Sequence, residues 1–170
     1  MQLSQFTYIF LTLCVPFFAY IIKSTEPKKG FSILFSAVIA MNIFLYMNQF
    51  SYIGALFLAL YLNLFKRSEK LYLLLLSFIS FAVGAYTLVG QSLFISALPI
   101  MMVSSVFSLM MIGHWFLVDP TISREGMKNI ALFSTYLSIG ISILVFSGLY
   151  ESSSSSVSYT HLTLPTIYSV

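Results

Sequence analysis

The chain has 170 residues, of which 59% are hydrophobic and 8% are charged, and its mean hydropathy is +0.95. A water-soluble domain has about 25% charged residues, so the composition excludes a soluble enzyme, a disordered tail and a nucleic-acid-binding module. The net charge is +3, but the basic residues lie in short clusters between long apolar runs, which is not a nucleic-acid footprint. We predict a multi-pass membrane protein that is embedded in the lipid bilayer, which is its predicted partner.

The first apolar run, residues 6–22, is predicted to be a membrane span, since a span requires about 17–25 apolar residues. No Lys or Arg precedes it, whereas a signal peptide begins with a basic region, so we expect the span to be retained. The single cysteine, Cys14, excludes a disulfide framework and a cysteine-based zinc site.

The second uncharged stretch, residues 31–65, is too long for one span. We predict that it folds back at its most polar window, residues 48–51, which gives spans at about 31–47 and 52–65. Asn42 is the one amide deep in a span. We interpret it as a hydrogen-bonding partner of a neighbouring helix rather than as the lining of a polar path.

The third uncharged stretch, residues 71–118, is also too long for one span. A turn at Gly90-Gln91-Ser92 divides it into spans at about 71–89 and 93–118, and a last span is predicted at 130–150. The fold class is therefore predicted to be an all-α transmembrane bundle of six spans.

The C-terminal segment resembles a translated sequencing adapter rather than a folded element. Residues 157–166, VSYTHLTLPT, resemble the translation of a transposon-end sequencing adapter, and the flanking Ser156 and Ile167 agree with its outer bases. We interpret residues 1–156 as the transmembrane domain and 157–170 as adapter-derived. On this interpretation the bundle is truncated at its C-terminal end.

Basic residues mark the orientation of the predicted bundle. All eight Lys and Arg lie in the first, third and fifth connections, at residues 23–30, 66–70 and 119–129. Short loops rich in Lys and Arg stay on the cytoplasmic side. We predict that these three loops are cytoplasmic and that the N-terminus lies outside, in the inner (plasma) membrane of a cell.

Small residues recur at helical spacing in two predicted spans. Ser134, Ser138 and Ser142 share one face of the last span, and Ser80 and Gly84 form a similar pair in the fourth. Small residues let helix backbones approach closely, so we interpret both sets as packing seams rather than as a polar pathway.

His114 and Met110 are the candidate cofactor-binding residues. They lie four residues apart and so share a helix face, and haem iron takes His or Met as axial ligands. The competing interpretation is that His114 lies at the interface and hydrogen-bonds the loop at 119–129. Trp115, beside it, fits an interfacial belt in which the indole N–H stays in water.

The segment around these residues resembles a known element. Gly113-His114-Trp115-Phe116-Leu117 is similar to a Gly-His-Trp-aromatic-Leu element of uncharacterised bacterial multi-pass integral membrane proteins, over about residues 110–128. The resemblance implies an integral membrane family with no settled activity and no catalytic residue to carry over. Phe116 stands where those proteins often have tyrosine.

The function hypotheses rest on what the spans contain. None of the six predicted spans contains Asp, Glu, Lys or Arg, and the sequence has no catalytic motif. The leading hypothesis is a non-enzymatic structural or interaction component, with other membrane subunits as partners, and no catalytic or metal site is predicted. The alternatives are a haem- or redox-associated protein that uses His114, and a fragment of a transporter.

Overall fold

A computed structural model describes residues 2–25, 27–63 and 71–147. Every regular element in these ranges is an α-helix, which confirms the all-α class for this part of the chain. The helices are α1 (Leu3–Thr25), α2 (Lys29–Ala40), α3 (Asn42–Leu45), α4 (Gln49–Asn63), α5 (Leu71–Val89), α6 (Ser92–Val118) and α7 (Arg124–Phe146). The basic cluster at 66–70, the end of the last predicted span and the adapter-like segment 157–170 lie outside the described residues.

Four helices are long and apolar enough to cross a membrane. They are α1, α5, α7 and the Ser96–Val118 part of α6. Shorter apolar helices occupy Lys29–Leu45 and Gln49–Asn63, where the sequence predicts the second and third spans. Four membrane-length helices are therefore a property of the structure, and six spans stay a prediction.

Both predicted hairpin turns lie at or beside breaks between helices. α3 ends at Leu45 and α4 begins at Gln49, and the Asn48 side chain accepts a hydrogen bond from Ser51 N (2.7 Å) in the first turn of α4. The predicted turn at 48–51 is therefore displaced, because its last residues already belong to α4. Gly90 separates α5 from α6 with a φ of +66°, a left-handed conformation that glycine adopts without steric cost.

Helices extend beyond the predicted spans where the chain becomes polar. α1 continues to Thr25, and α7 begins at Arg124, well before the predicted start at residue 130. The Ser123 hydroxyl accepts a hydrogen bond from Glu125 N (3.3 Å) and caps α7. An apolar run indicates which residues suit the bilayer core, whereas a helix continues until capping or turn residues end it.

α1 lies in the middle of the bundle, where it contacts α2, α3, α5, α6 and α7. One of its contacts is aromatic: the Phe18 ring stacks on Phe35, with 4.7 Å between centroids, and lies 6.3 Å from the rings of Phe31 and Tyr61. These fully or almost fully buried rings fill the space between α1, α2 and α4. The core is therefore assembled around α1.

Candidate functional site

The predicted cofactor-binding pair lies on the outer surface of α6. Met110 is 68% exposed and His114 is exposed as well, so the two share a face that points away from the other described helices. Among the described residues, no group of three or more His, Cys, Asp or Glu is placed to hold a metal ion.

Trp115, next to His114 in the chain, packs against α2 inside the bundle. Its ring contacts Phe31 (5.9 Å between centroids), and a Cβ at Gly30 would lie 2.9 Å from Trp115 Cη2. Gly30 therefore permits the first turn of α2 to approach α6. The Trp115 Nε1 atom is buried and has no hydrogen-bond partner among the described residues. The expectation of a water-exposed indole N–H was wrong, because Gly30 on α2 leaves space for the indole to pack against that helix.

Asp119 connects the end of α6 to the start of α2. The side chain is 4% exposed, and its Oδ2 lies 3.0 Å from Lys28 Nζ. Its Oδ1 accepts hydrogen bonds from Thr121 Oγ1 (2.6 Å) and from Thr121 N (3.4 Å). The hydrogen bonds from Thr121 and Lys28 hold the pKa of Asp119 below its ordinary value, because they favour the charged carboxylate.

The start of α7 packs against the end of α1. A Cβ at Gly126 would overlap the side chains of Thr25 and Ser24, so only glycine allows this approach without a shift. One residue pair also joins α6 to α7 across the turn: the Arg124 guanidinium lies 5.2 Å from the centroid of the Phe116 ring. The loop between α6 and α7 is thus fixed at both ends.

These contacts define one end of the molecule, which we name the charged end. It comprises the last turns of α1 and α6 and the first turns of α2 and α7. The described Lys and Arg residues all lie in these turns or directly beside them: Lys23, Lys28, Lys29, Arg124 and Lys128. α5 also begins at this end, since Leu71 and Lys23 line the same groove.

Buried polar groups further along the bundle bond one helix to another. Asn42 Nδ2 donates to Thr12 Oγ1 on α1 (3.4 Å), which is the role predicted for it, although Asn42 Oδ1 has no partner among the described residues. Ser80 Oγ donates to the Phe50 carbonyl on α4 (2.6 Å). The predicted seam of Ser80 and Gly84 is real, because a Cβ at Gly84 would overlap the Tyr8 hydroxyl on α1.

The predicted serine seam of α7 is only partly formed. Ser134 Oγ lies 2.6 Å from Ser105 Oγ on α6, whereas Ser138 and Ser142 are exposed. The sequence analysis missed the serines of α6. Ser104 Oγ lies within hydrogen-bonding distance of the Phe10 carbonyl on α1 (3.0 Å) and of the Ile100 carbonyl within α6 (2.9 Å), and these two acceptors share its single proton. Their spacing in the sequence could have predicted this contact, since Ser104, Ser105 and Ser108 lie among apolar residues of α6.

The arrangement is suited to holding helices together. The buried hydroxyl and amide groups described above bond backbone carbonyls or other hydroxyl groups, and Lys28 neutralises the buried carboxylate of Asp119. No protein-family profile, curated protein or solved structure matches this chain.

Proposed function

We propose that the chain is a bacterial inner-membrane protein with six spans and that it is a non-enzymatic structural or interaction component of that membrane. The observation that carries the proposal is that buried polar side chains form hydrogen bonds between helices. Several of those buried within the membrane-length helices bond a neighbouring helix, as Ser80 Oγ does to the Phe50 carbonyl and Ser105 Oγ does to Ser134 Oγ. Such bonds stabilise a bundle in lipid, where an unsatisfied polar group is costly.

We propose further that the N-terminus lies outside and that the connections at 23–30, 66–70 and 119–129 are cytoplasmic. The gathering of the described Lys and Arg at the charged end supports this orientation. The helices at Lys29–Leu45 and Gln49–Asn63 rise about 23–26 Å, at 1.5 Å per residue, against a hydrocarbon core of about 30 Å. They would cross with local thinning of the bilayer, which costs only a fraction of a kcal/mol per Å.

Thiol labelling in intact cells tests this topology. In a Cys14→Ser background, Gln91→Cys lies in the turn between α5 and α6 and should react with an impermeant maleimide. Ser68→Cys and Glu125→Cys should react only after the cells are permeabilised, which is the control for thiol reactivity. Labelling of position 68 from outside would overturn the hairpin at residues 31–65. Release of the protein from membranes by alkaline carbonate would overturn the membrane assignment itself.

An absorbance spectrum distinguishes this proposal from the haem alternative. A structural component predicts no Soret band for the purified full chain. A Soret band that disappears equally in His114→Gln and His114→Leu would replace the proposal with a haem protein that uses His114. The glutamine variant is informative because it keeps hydrogen-bonding capacity and removes the iron ligand.

A further inference from the structure

α1 is exposed along one stripe in the half that leads to the charged end. Pro16, Tyr20 and Lys23 are exposed, whereas the residues between them are buried or half-buried. Their spacing places them on one helix face. The stripe lies between α5 on one side and α7 on the other, because α1 contacts both helices. The most central helix of the bundle is therefore open to its surroundings at this strip alone within its second half.

Two apolar grooves run along this stripe, one on each side. The first has a volume of about 270 Å³ and lies between α1 and α5, where Leu71, Leu74, Leu75 and Phe78 form its wall. These four residues have the i, i+3, i+4, i+7 spacing of a single helix face. We name this the α1/α5 groove.

The second groove has a volume of about 400 Å³ and lies between α1, α6 and α7. Its walls include Phe17, Met101, Ile130 and Phe133, and we name it the α1/α7 groove. Pro16 and Tyr20 line both grooves, so the Tyr20 side chain forms a ridge between them. The two grooves thus run side by side and are separated by one aromatic ring.

Polar groups lie at the same end of both grooves. Lys23 lines the α1/α5 groove, and Asn129 lines the α1/α7 groove, where its Nδ2 donates a hydrogen bond to the Tyr20 hydroxyl (2.8 Å). Pro16 and Lys23 are about 10 Å apart along the helix axis, at 1.5 Å per residue. Each groove is therefore apolar towards the middle of the bundle and polar, with a positive charge nearby, at the charged end.

We propose that the two grooves hold the two acyl chains of one anionic diacyl phospholipid, whose phosphate lies against Lys23 beside Tyr20 and Asn129. The charge of Lys23 is complementary to the headgroup, and the paired grooves are complementary to paired chains. A partner helix fits the surface less well, because a helix with its side chains is about 10–12 Å wide and the Tyr20 ridge divides the space. The inference rests on the membrane location proposed above.

Native mass spectrometry of the purified full chain in detergent tests the site, with dioleoyl phosphatidylglycerol and dioleoyl phosphatidylcholine as probes. We expect the anionic lipid to bind about fivefold more tightly, since one basic residue near a membrane surface contributes about 1 kcal/mol. Lys23→Gln should remove this preference. Ala19→Phe, which fills the α1/α5 groove, should weaken the binding of both lipids, and a single-chain lysophosphatidylglycerol should bind more weakly than the diacyl lipid.

The matched control is Lys128→Gln, which removes an equal charge from an exposed lysine at the charged end that lines neither groove. It should keep the fivefold preference. Equal binding of the two lipids to the unaltered chain would overturn the proposal, and so would an equal loss in Lys128→Gln, which would indicate bulk charge. Lys23 is exposed, so its substitution tests binding without disturbing the core. Carbonate-resistant membrane retention with equal lipid binding would reject this site alone and leave the proposed function standing.

Discussion

α1 and α7 are alike as sequences and unlike in the structure. Both have 23 residues and the same mean hydropathy over their apolar segments, yet 56% of that segment is buried in α1 and 6% in α7. The buried residues of α7 are Gly126 and Ile130, both near its start. Hydropathy therefore predicts that a helix suits a bilayer, but it does not predict how much of the helix other helices cover. α7 is held mainly at the charged end.

The largest expected difference between the two helices comes from removing an aromatic ring. Phe18 on α1 is fully buried, whereas Phe146 on α7 is 91% exposed. Phe18→Ala should lower the free energy of unfolding by about 3–5 kcal/mol, because it leaves a cavity against Phe35. Phe146→Ala is the matched control and should change it by less than about 0.5 kcal/mol.

Unfolding by sodium dodecyl sulfate in mixed micelles measures this difference, with the fluorescence of Trp115, the single tryptophan, as the probe. If the two alanine variants unfolded at the same detergent fraction, the central position of α1 would be wrong.

A glycine pair gives the next largest effect. A side chain at Gly84 would overlap the Tyr8 hydroxyl, whereas a Cβ at Gly140 on α7 would meet nothing within 4 Å. Gly84→Leu should destabilise the fold by about 1–3 kcal/mol, because it forces α5 away from α1. Gly140→Leu should be neutral or slightly stabilising, since it removes a glycine from a helix interior. The same unfolding assay applies, and a neutral Gly84→Leu would show that α1 and α5 are not in close contact.

Local chemistry made some features predictable from the sequence, and packing direction made others unpredictable. The breaks near Asn48 and at Gly90 follow from residues that cap or turn the chain wherever they occur. The different surroundings of His114 and Trp115 do not, because Gly30, which provides space for the indole, is distant in sequence. The sequence around Asp119 predicts only a loop, since nothing local shows that Lys28 lies beside it.

The smallest expected change in stability comes from Asp119, at the end of α6. Its substitution tests whether the contact with Lys28 stabilises the charged end. Asp119→Asn keeps an acceptor for Thr121 and loses the attraction to Lys28, which is 71% exposed and screened by water. We therefore expect only a small loss of stability at neutral pH. The two chains should converge in acid, where Asp119 of the unaltered chain is protonated, because the variant lacks the one described buried carboxylate.

The direction of that pH dependence follows from the pKa of Asp119, which is lower in the folded chain than its ordinary value of about 3.9. The carboxylate therefore stabilises the folded chain at and above that pH, and the stabilisation is lost as the pH falls through the lower folded value. Unfolding midpoints measured from pH 6 down to pH 2 should decline below about pH 4, and Asp119→Asn should flatten that decline. Glu125→Gln, which removes an exposed acid from the same loop region, is the control and should keep it. An identical acid decline in Asp119→Asn would mean that the contact between Asp119 and Lys28 does not stabilise the charged end.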